Sequence, residues 1–171
     1  MSGAMKIFAL SGSDPKIRER LLESLVAELA RRGVKVSVVV RMPEGFDMDK
    51  PGKDSFEHRR AGAREVVLAS SERWALMAER PADPHGCLET LAARLSRAEL
   101  LIADGFEENG HSRLLVLDQA AEVPAEPGPD VVAYALSSPP ARAIGRPAFQ
   151  LDDGVGIASF ILAHCGLAAE E

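Results

Sequence analysis

Residues Lys6 to Val40 read KIFALSGSDPKIRERLLESLVAELARRGVKVSVVV, and this stretch decides the fold. It begins with a short apolar run, KIFAL, that stops at Ser11-Gly12-Ser13, a pattern typical of a strand followed by a turn. It ends with VKVSVVV, whose β-branched residues predict a second strand. Between them, leucines recur at helical spacing until Gly33. The stretch therefore predicts a right-handed strand–helix–strand unit with parallel strands.

The rest of the chain continues to alternate between strand and helix patterns. Short apolar runs predict strands at 66–69, 74–77, 100–103, 114–117 and 131–136, the first two of them antiparallel neighbours. Amphipathic spacing predicts helices at 88–95 and 155–165, and Pro124 to Pro129 is a loop within the domain. We therefore expect a three-layer α/β fold, with a mixed, mainly parallel sheet and helices on both faces. Sites in such folds lie beyond the carboxyl ends of the parallel strands.

Composition narrows the class of protein. The 171 residues suit one domain, which we place at 5–171, with residues 1–4 as a remnant that precedes the natural start at Met5. The formal net charge is −6 and the basic residues are scattered, which argues against a nucleic-acid partner. No apolar run approaches the roughly 20 residues that span a bilayer, so we expect a cytoplasmic protein.

The cysteines and histidines suggest no catalytic or metal site. Cys87 and Cys165 lie far apart and lack C-x-x-C spacing, so we expect two inert thiols. The histidines are dispersed, and dispersed histidines are most often surface residues. No nucleophile–base pair emerges from the serines or cysteines. We assign no catalytic residue, and in particular none to His58, His85, His111 and His164.

A second segment indicates the family. Residues 45–63 read GFDMDKPGKDSFEHRRAGA, in which a Pro-Gly turn leads through Lys53 and Asp54 into a short charged helix. Together with the early strand–helix–strand unit, ELLIADGF at 99–106 and RPAFQLDDGVGIASFIL at 146–162, this segment resembles the molybdopterin-guanine dinucleotide biosynthesis protein B (MobB) family. The resemblance covers nearly the whole chain from Met5.

The resemblance implies a three-layer P-loop-NTPase-like fold, often a homodimer, that binds GTP and assists the enzyme attaching a guanine nucleotide to molybdopterin. It implies molybdopterin guanylyltransferase or molybdoenzyme maturation proteins as partners, and GTP and Mg²⁺ as ligands. It also implies nucleotide- or phosphate-binding positions at Gly12, Ser13, Lys16, Arg18, Lys53, Asp54, Asp104 and Gly105. Of these, Asp54 and Asp104 are the implied Mg²⁺ ligands. From the residues alone, Asp54 with Glu57 equally fits a helix capping box.

The phosphate loop itself departs from the P-loop pattern G-x-x-x-x-G-K-[ST], because residues 12–19 read GSDPKIRE. Ile17 places a branched side chain where backbone amides must approach phosphate closely. Arg18 keeps a charge but lacks the compact ammonium of lysine. Glu19 replaces the Mg²⁺-binding hydroxyl with an anion, and Glu107 reverses a charge where the family tends to have lysine. We expect GTP binding to be weakened or lost.

The pair Asp14-Pro15 gives an independent reason for the same expectation. Asp is a favoured N-cap and Pro a favoured first helical residue, so the helix should begin near Pro15. The Asp14 side chain would then accept hydrogen bonds from the amides that otherwise bind phosphate. A further departure follows the second strand, where the family has a histidine-containing stretch and this chain has Arg41-Met42-Pro43-Glu44.

Three functions are compatible with this pattern. The first is an accessory adaptor in molybdenum guanine dinucleotide cofactor biosynthesis, with no or very weak GTPase activity. The second is a working GTP-binding protein in which Lys16, Arg18 or Arg20 replaces the missing lysine. The third is a domain recruited to an unrelated protein-interaction role.

Overall fold

Strand β1 (Lys6–Ser11), helix α1 (Pro15–Arg31) and strand β2 (Val36–Val40) form the unit that the first forty residues predict. The computed structural model describes residues 4–42, 45, 50–78, 88–95, 98–118, 123–138, 140 and 144–167. The remaining elements are α2 (Asp54–Arg60), β3 (Glu65–Ala69), β4 (Trp74–Ala78), α3 (Leu88–Ala92), β5 (Leu100–Asp104), a 3-10 turn (Glu107–Asn109), β6 (Arg113–Leu117), β7 (Val131–Leu136), β8 (Ala148–Gln150) and α4 (Gly154–Cys165).

The chain divides into two compact units. The first combines the described residues up to Arg41 with those from Leu88 onward, and the second consists of those from Met42 to Ala78. The first unit contains a six-stranded sheet in the order β2-β5-β1-β6-β7-β8, in which every pair is parallel. The register pairs Leu10 with Asp104, so the carboxyl ends of β1 and β5 lie side by side.

Helices cover both faces of this sheet, as predicted. On one face, Phe8, Leu10 and Ile102 pack with the leucines of α1 and with α4 in a buried cluster. On the other face, Ala9 and Ala103 pack against α3. Successive strand residues alternate between faces, which explains why neighbours in β1 belong to different clusters. The predicted α/β class with a mainly parallel sheet is confirmed.

Helix α1 is tied to α4 by Arg32. Its guanidinium donates to Glu28 at 2.7 Å, to Ser159 at 2.9 Å and to the carbonyl of Val155 at 3.0 Å. Hydrogen bonds from Arg31 and then Arg32 lower the pKa of Glu28 to about 2, which keeps this carboxylate ionised. The contact joins the carboxyl end of α1 to the first turns of α4.

The second unit pairs β3 with β4 in an antiparallel two-stranded sheet, and α2 packs against β3. The antiparallel pair predicted at 66–69 and 74–77 is confirmed, but it forms its own sheet instead of joining the parallel one. Only a few side chains of this unit are buried, among them Ser55 and Val66.

The sequence patterns missed one strand and overextended one helix. Strand β8 is only three residues long, too short for its alternation to be recognised. Helix α3 ends at Ala92, three residues before the predicted end, because Arg94 and Leu95 close hydrogen-bonded turns. Within the described residues, no helix is both long and apolar enough to span a membrane.

Candidate functional site

The turn between β1 and α1 begins at Gly12, which must be glycine for a packing reason. Its φ is +145°, and a Cβ there would lie 2.1 Å from the carbonyl oxygen of Val116 in β6. A side chain would therefore collide with the backbone of the neighbouring strand. The one phosphate-loop residue that the chain retains is thus required by the sheet, whether or not phosphate binds.

The amino end of α1 is capped by Asp14, as the sequence predicts. The helix begins at Pro15, and the Asp14 carboxylate accepts hydrogen bonds from the amides of Lys16 at 2.8 Å and Ile17 at 3.3 Å. A P-loop would direct these amides toward phosphate. Here they are already occupied by an anion of the protein itself.

The other side chains of the predicted phosphate loop differ in burial. Ile17 is half-buried and packs against the core beneath α1, which gives a structural role to the residue in place of the second P-loop glycine. Ser13, Lys16 and Glu19 are exposed. Glu19 therefore contributes a solvated negative charge, without the hydroxyl that would hold Mg²⁺.

Arg18 forms an ion pair with Asp104 that crosses the candidate site. Its Nε lies 2.6 Å from Asp104 Oδ1, and the side chains are 12% and 8% exposed. A second guanidinium nitrogen donates to the carbonyl of Gly12. In this arrangement, two predicted ligand-binding groups satisfy each other: Arg18 is not free to replace the P-loop lysine, and Asp104 holds a guanidinium where Mg²⁺ was expected.

The loop after β5 contains Gly105, the remaining predicted phosphate-binding position of the first unit, and Glu107. The Gly105 amide donates to the carbonyl of Leu10 at 3.2 Å, which ties the loop to β1. Glu107 is exposed and lines a shallow cavity of about 480 Å³, together with Glu108, which pairs with Arg41, and Asp130, which pairs with Arg113. The Glu107 carboxylate disfavours a polyanion such as a nucleoside triphosphate here.

Lys53 and Asp54 belong to the second unit, and both are exposed. The interpretation of Asp54 as a capping residue is wrong. Helix α2 starts at Asp54 itself, and its N-cap is Lys53, which makes no side-chain capping hydrogen bond. Asp54 is then a first-turn carboxylate, whose negative charge favours the positive end of the helix dipole.

Among the described residues, no group of three or more His, Cys, Asp or Glu side chains could hold a metal ion. Burial raises the pKa of the Cys165 thiol, so the reactive thiolate is disfavoured there. His111 lies 3.3 Å from Glu89, and His164 packs edge-on against Phe8. Cys87 and His85, together with Pro43 and Glu44 from the stretch after the second strand, fall outside the described residues.

Sequence reasoning missed Arg113 in β6, whose side chain contacts the end of β1 and the turn before β7. Its Nε donates to Asp130 at 2.6 Å, and its Nη1 donates to the buried hydroxyl of Ser11 at 2.8 Å. Desolvation acts to raise the pKa of Asp130, but the hydrogen bond from Arg113, a backbone hydrogen bond and the charges of Arg113 and Arg146 together lower it. A single arginine opening the apolar run RLLVL was the available signal.

A model of the family described as molybdopterin guanine dinucleotide synthesis protein B matches residues 6–137. The chain belongs to this family. It is 32% identical over 145 residues to the molybdopterin-guanine dinucleotide biosynthesis adapter protein of Escherichia coli (strain K12), covering 83% of each chain. It is 31% identical over 139 residues to the adapter protein of Haemophilus influenzae, covering 80% of this chain and 75% of that one.

Solved structures of the family share the fold. A crystal structure of molybdopterin-guanine biosynthesis protein B is similar with a TM-score of 0.71 and 26% identity, over 92% of this chain and 99% of the other. A Bacillus subtilis structure reaches a TM-score of 0.74 at 17% identity, over 94% and 98% of the two chains. The family frame is therefore intact around the Arg18–Asp104 pair.

The Arg18–Asp104 pair should stabilise the fold in a measurable way. Removing one partner of a largely buried ion pair leaves the other charge uncompensated, so Arg18→Met or Asp104→Asn alone should lower the free energy of unfolding by about 2–4 kcal/mol. The double variant should lose less than the sum, with a coupling energy of about 1–3 kcal/mol. Urea unfolding of the four proteins measures this cycle.

Arg31→Ala is the matched control, because Arg31 is 69% exposed on the same helix and Arg32 still pairs with Glu28 when Arg31 is removed, so this substitution should change stability less than either single substitution above. Strict additivity of the two single substitutions would show that Arg18 and Asp104 do not interact.

Proposed function

We propose that this chain is an adaptor in the biosynthesis of the molybdenum guanine dinucleotide cofactor, and that it acts in the cytoplasm without tight GTP binding. Its curated relatives are named adapter proteins of this pathway. The observation that carries the second half of the proposal is the Arg18–Asp104 pair, which occupies the groups that a nucleotide and its Mg²⁺ would need.

The expected loss of affinity follows from the number of contacts removed. The Asp14 carboxylate occupies two amides, Arg18 is neutralised, and Glu19 offers no hydroxyl. A charge-assisted hydrogen bond contributes about 1.5–3 kcal/mol, so losing two or three moves micromolar binding toward millimolar. Such a protein would serve its pathway through protein contacts instead of a nucleotide cycle.

Calorimetry with GTP and Mg²⁺ tests the nucleotide part of this proposal. We expect a dissociation constant of about 1 mM or weaker for the unmodified chain. A variant that restores the P-loop pattern should bind at least about tenfold more tightly, because it frees the amides and returns the lysine and the hydroxyl. This variant combines Asp14→Ala, Ile17→Gly, Arg18→Lys and Glu19→Thr.

Micromolar binding by the unmodified chain that is abolished by Arg18→Met would instead establish a working GTP-binding protein. Glu23→Gln, an exposed change further along α1, serves as the control for effects of altered charge.

Affinity capture from the native host tests the pathway. The tagged full-length chain should recover a molybdopterin guanylyltransferase or a molybdoenzyme maturation protein, and recovery should be unaffected by removing GTP with a phosphatase. If capture recovers only proteins outside molybdenum-cofactor metabolism, the recruited interaction domain replaces the adaptor as the favoured function.

A homodimer is part of the proposal, and the second unit offers a surface for it. Val67 and Trp74 are 58% and 62% exposed and lie on the same face of the β3–β4 sheet. A two-stranded sheet alone is marginally stable in water, and large apolar side chains exposed together mark contact surfaces. A second copy covering this face would bury both side chains.

Sedimentation velocity should give twice the monomer mass of 18.3 kDa for the unmodified chain. Trp74→Ser should weaken the dimer by about 30-fold or more, because a buried interface tryptophan commonly contributes over 2 kcal/mol. Val155→Ser, which removes a similarly exposed side chain from α4, should leave the dimer intact. A monomer at all concentrations, or equal effects of both substitutions, would refute this surface.

A further inference from the structure

Two arginines from different elements hold the loop that follows β5. The loop runs from Gly105 through the 3-10 turn to Gly110, whose φ of +69° ends that turn. Arg18 approaches its base by pairing with Asp104, the last residue of β5. Arg41, which follows β2, contacts the loop from another side.

Arg41 makes three kinds of contact with this segment. Its backbone amide donates to the carbonyl of Asp104 at 2.9 Å. Its guanidinium carbon lies 4.3 Å from the ring centroid of Phe106, a cation–π distance, and the same guanidinium pairs with Glu108. A planar guanidinium can stack on a ring and bind a carboxylate at once, which lysine does less well.

The loop is also packed closely at its base. Phe106 is only 3% exposed and belongs to the cluster on the α3 face of the sheet. A Cβ at Gly105 would lie 3.2 Å from the Cβ of Arg41, closer than ordinary van der Waals contact, so glycine favours the close packing of these two residues. The charged, stacked and packed contacts all favour one arrangement of the same few residues.

We infer that Arg41, together with Arg18, holds the loop Gly105–Gly110 in one conformation without a nucleotide. In nucleotide-switched P-loop proteins, the γ-phosphate and its Mg²⁺ supply the contacts that order such segments. Here the protein's own guanidinium groups supply them, so a nucleotide has little difference in binding energy between loop states with which to shift the loop. Arg41 is therefore a positioning residue for the surface formed by this loop.

This inference rests on the proposed function, because it describes an adaptor whose surface is always ready for its partner. It also gives a role to Arg41, which stands where the family resemblance implies a histidine-containing stretch. Arg41 has a structural role at this position, since it contacts the carbonyl of Asp104 and the ring of Phe106.

Hydrogen exchange measured by mass spectrometry on the full chain tests the inference. In the unmodified protein, amides of residues 105–110 should exchange at the same rate with and without millimolar GTP and Mg²⁺. Arg41→Ala should accelerate exchange there about tenfold, because opening the loop no longer breaks the stacked ion pair. Arg41→Lys should give an intermediate rate, since it keeps the charge and loses the planar stack.

Arg31→Ala, which removes an exposed arginine that pairs with Glu28, should leave these amides unchanged. If Arg41→Ala unfolds the whole chain, Glu108→Gln decides, because it removes only the partly exposed ion pair and should raise exchange two- to threefold. Unchanged exchange in both loop variants, or slower exchange on adding GTP and Mg²⁺, overturns the inference. Hydrogen exchange does not depend on partner capture, so a negative result in one experiment leaves the conclusion of the other intact.

Discussion

The ion pair between Arg18 and Asp104 joins the parts of the molecule that meet at the carboxyl end of β1. Arg18 comes from the first turns of α1, Asp104 ends β5, and the same guanidinium also binds the carbonyl of Gly12. Because both side chains are almost fully buried, each needs the other to offset the loss of water. The turn, the helix and the neighbouring strand are therefore held together by a contact inside the candidate site.

The core of the fold is formed by apolar side chains of α1, α4 and the parallel sheet. The leucines of α1 pack on Phe8, Leu10 and Ile102, and α4 covers the same cluster. Asp14 caps α1 internally, so the helix end needs no ligand to satisfy its first amides. At the predicted nucleotide-binding positions of this chain, Arg18 and Asp104 contact each other within the fold.

Much of this could be predicted from local patterns. The strand–helix–strand unit, the β3–β4 pair and the Asp14 cap follow from periodicity and capping preferences, which act between residues close in sequence. The role of Asp54 could not be predicted, because Lys53 and Asp54 are adjacent and a shift of one residue exchanges cap and first turn. Arg113 was missed because its partners are distant in sequence: Ser11 ends β1, and Asp130 lies in the turn just before β7.

By itself, the sequence determined the fold class, the family resemblance and the loss of three of the four P-loop residues, since these depend on residue types at fixed spacing. Only the tertiary structure decided what the replacements do. The parallel register places Asp104 beside Leu10, and that proximity turns Arg18 from a candidate phosphate ligand into an internal partner. Eighty-six residues separate these two side chains along the chain, so no local pattern could pair them.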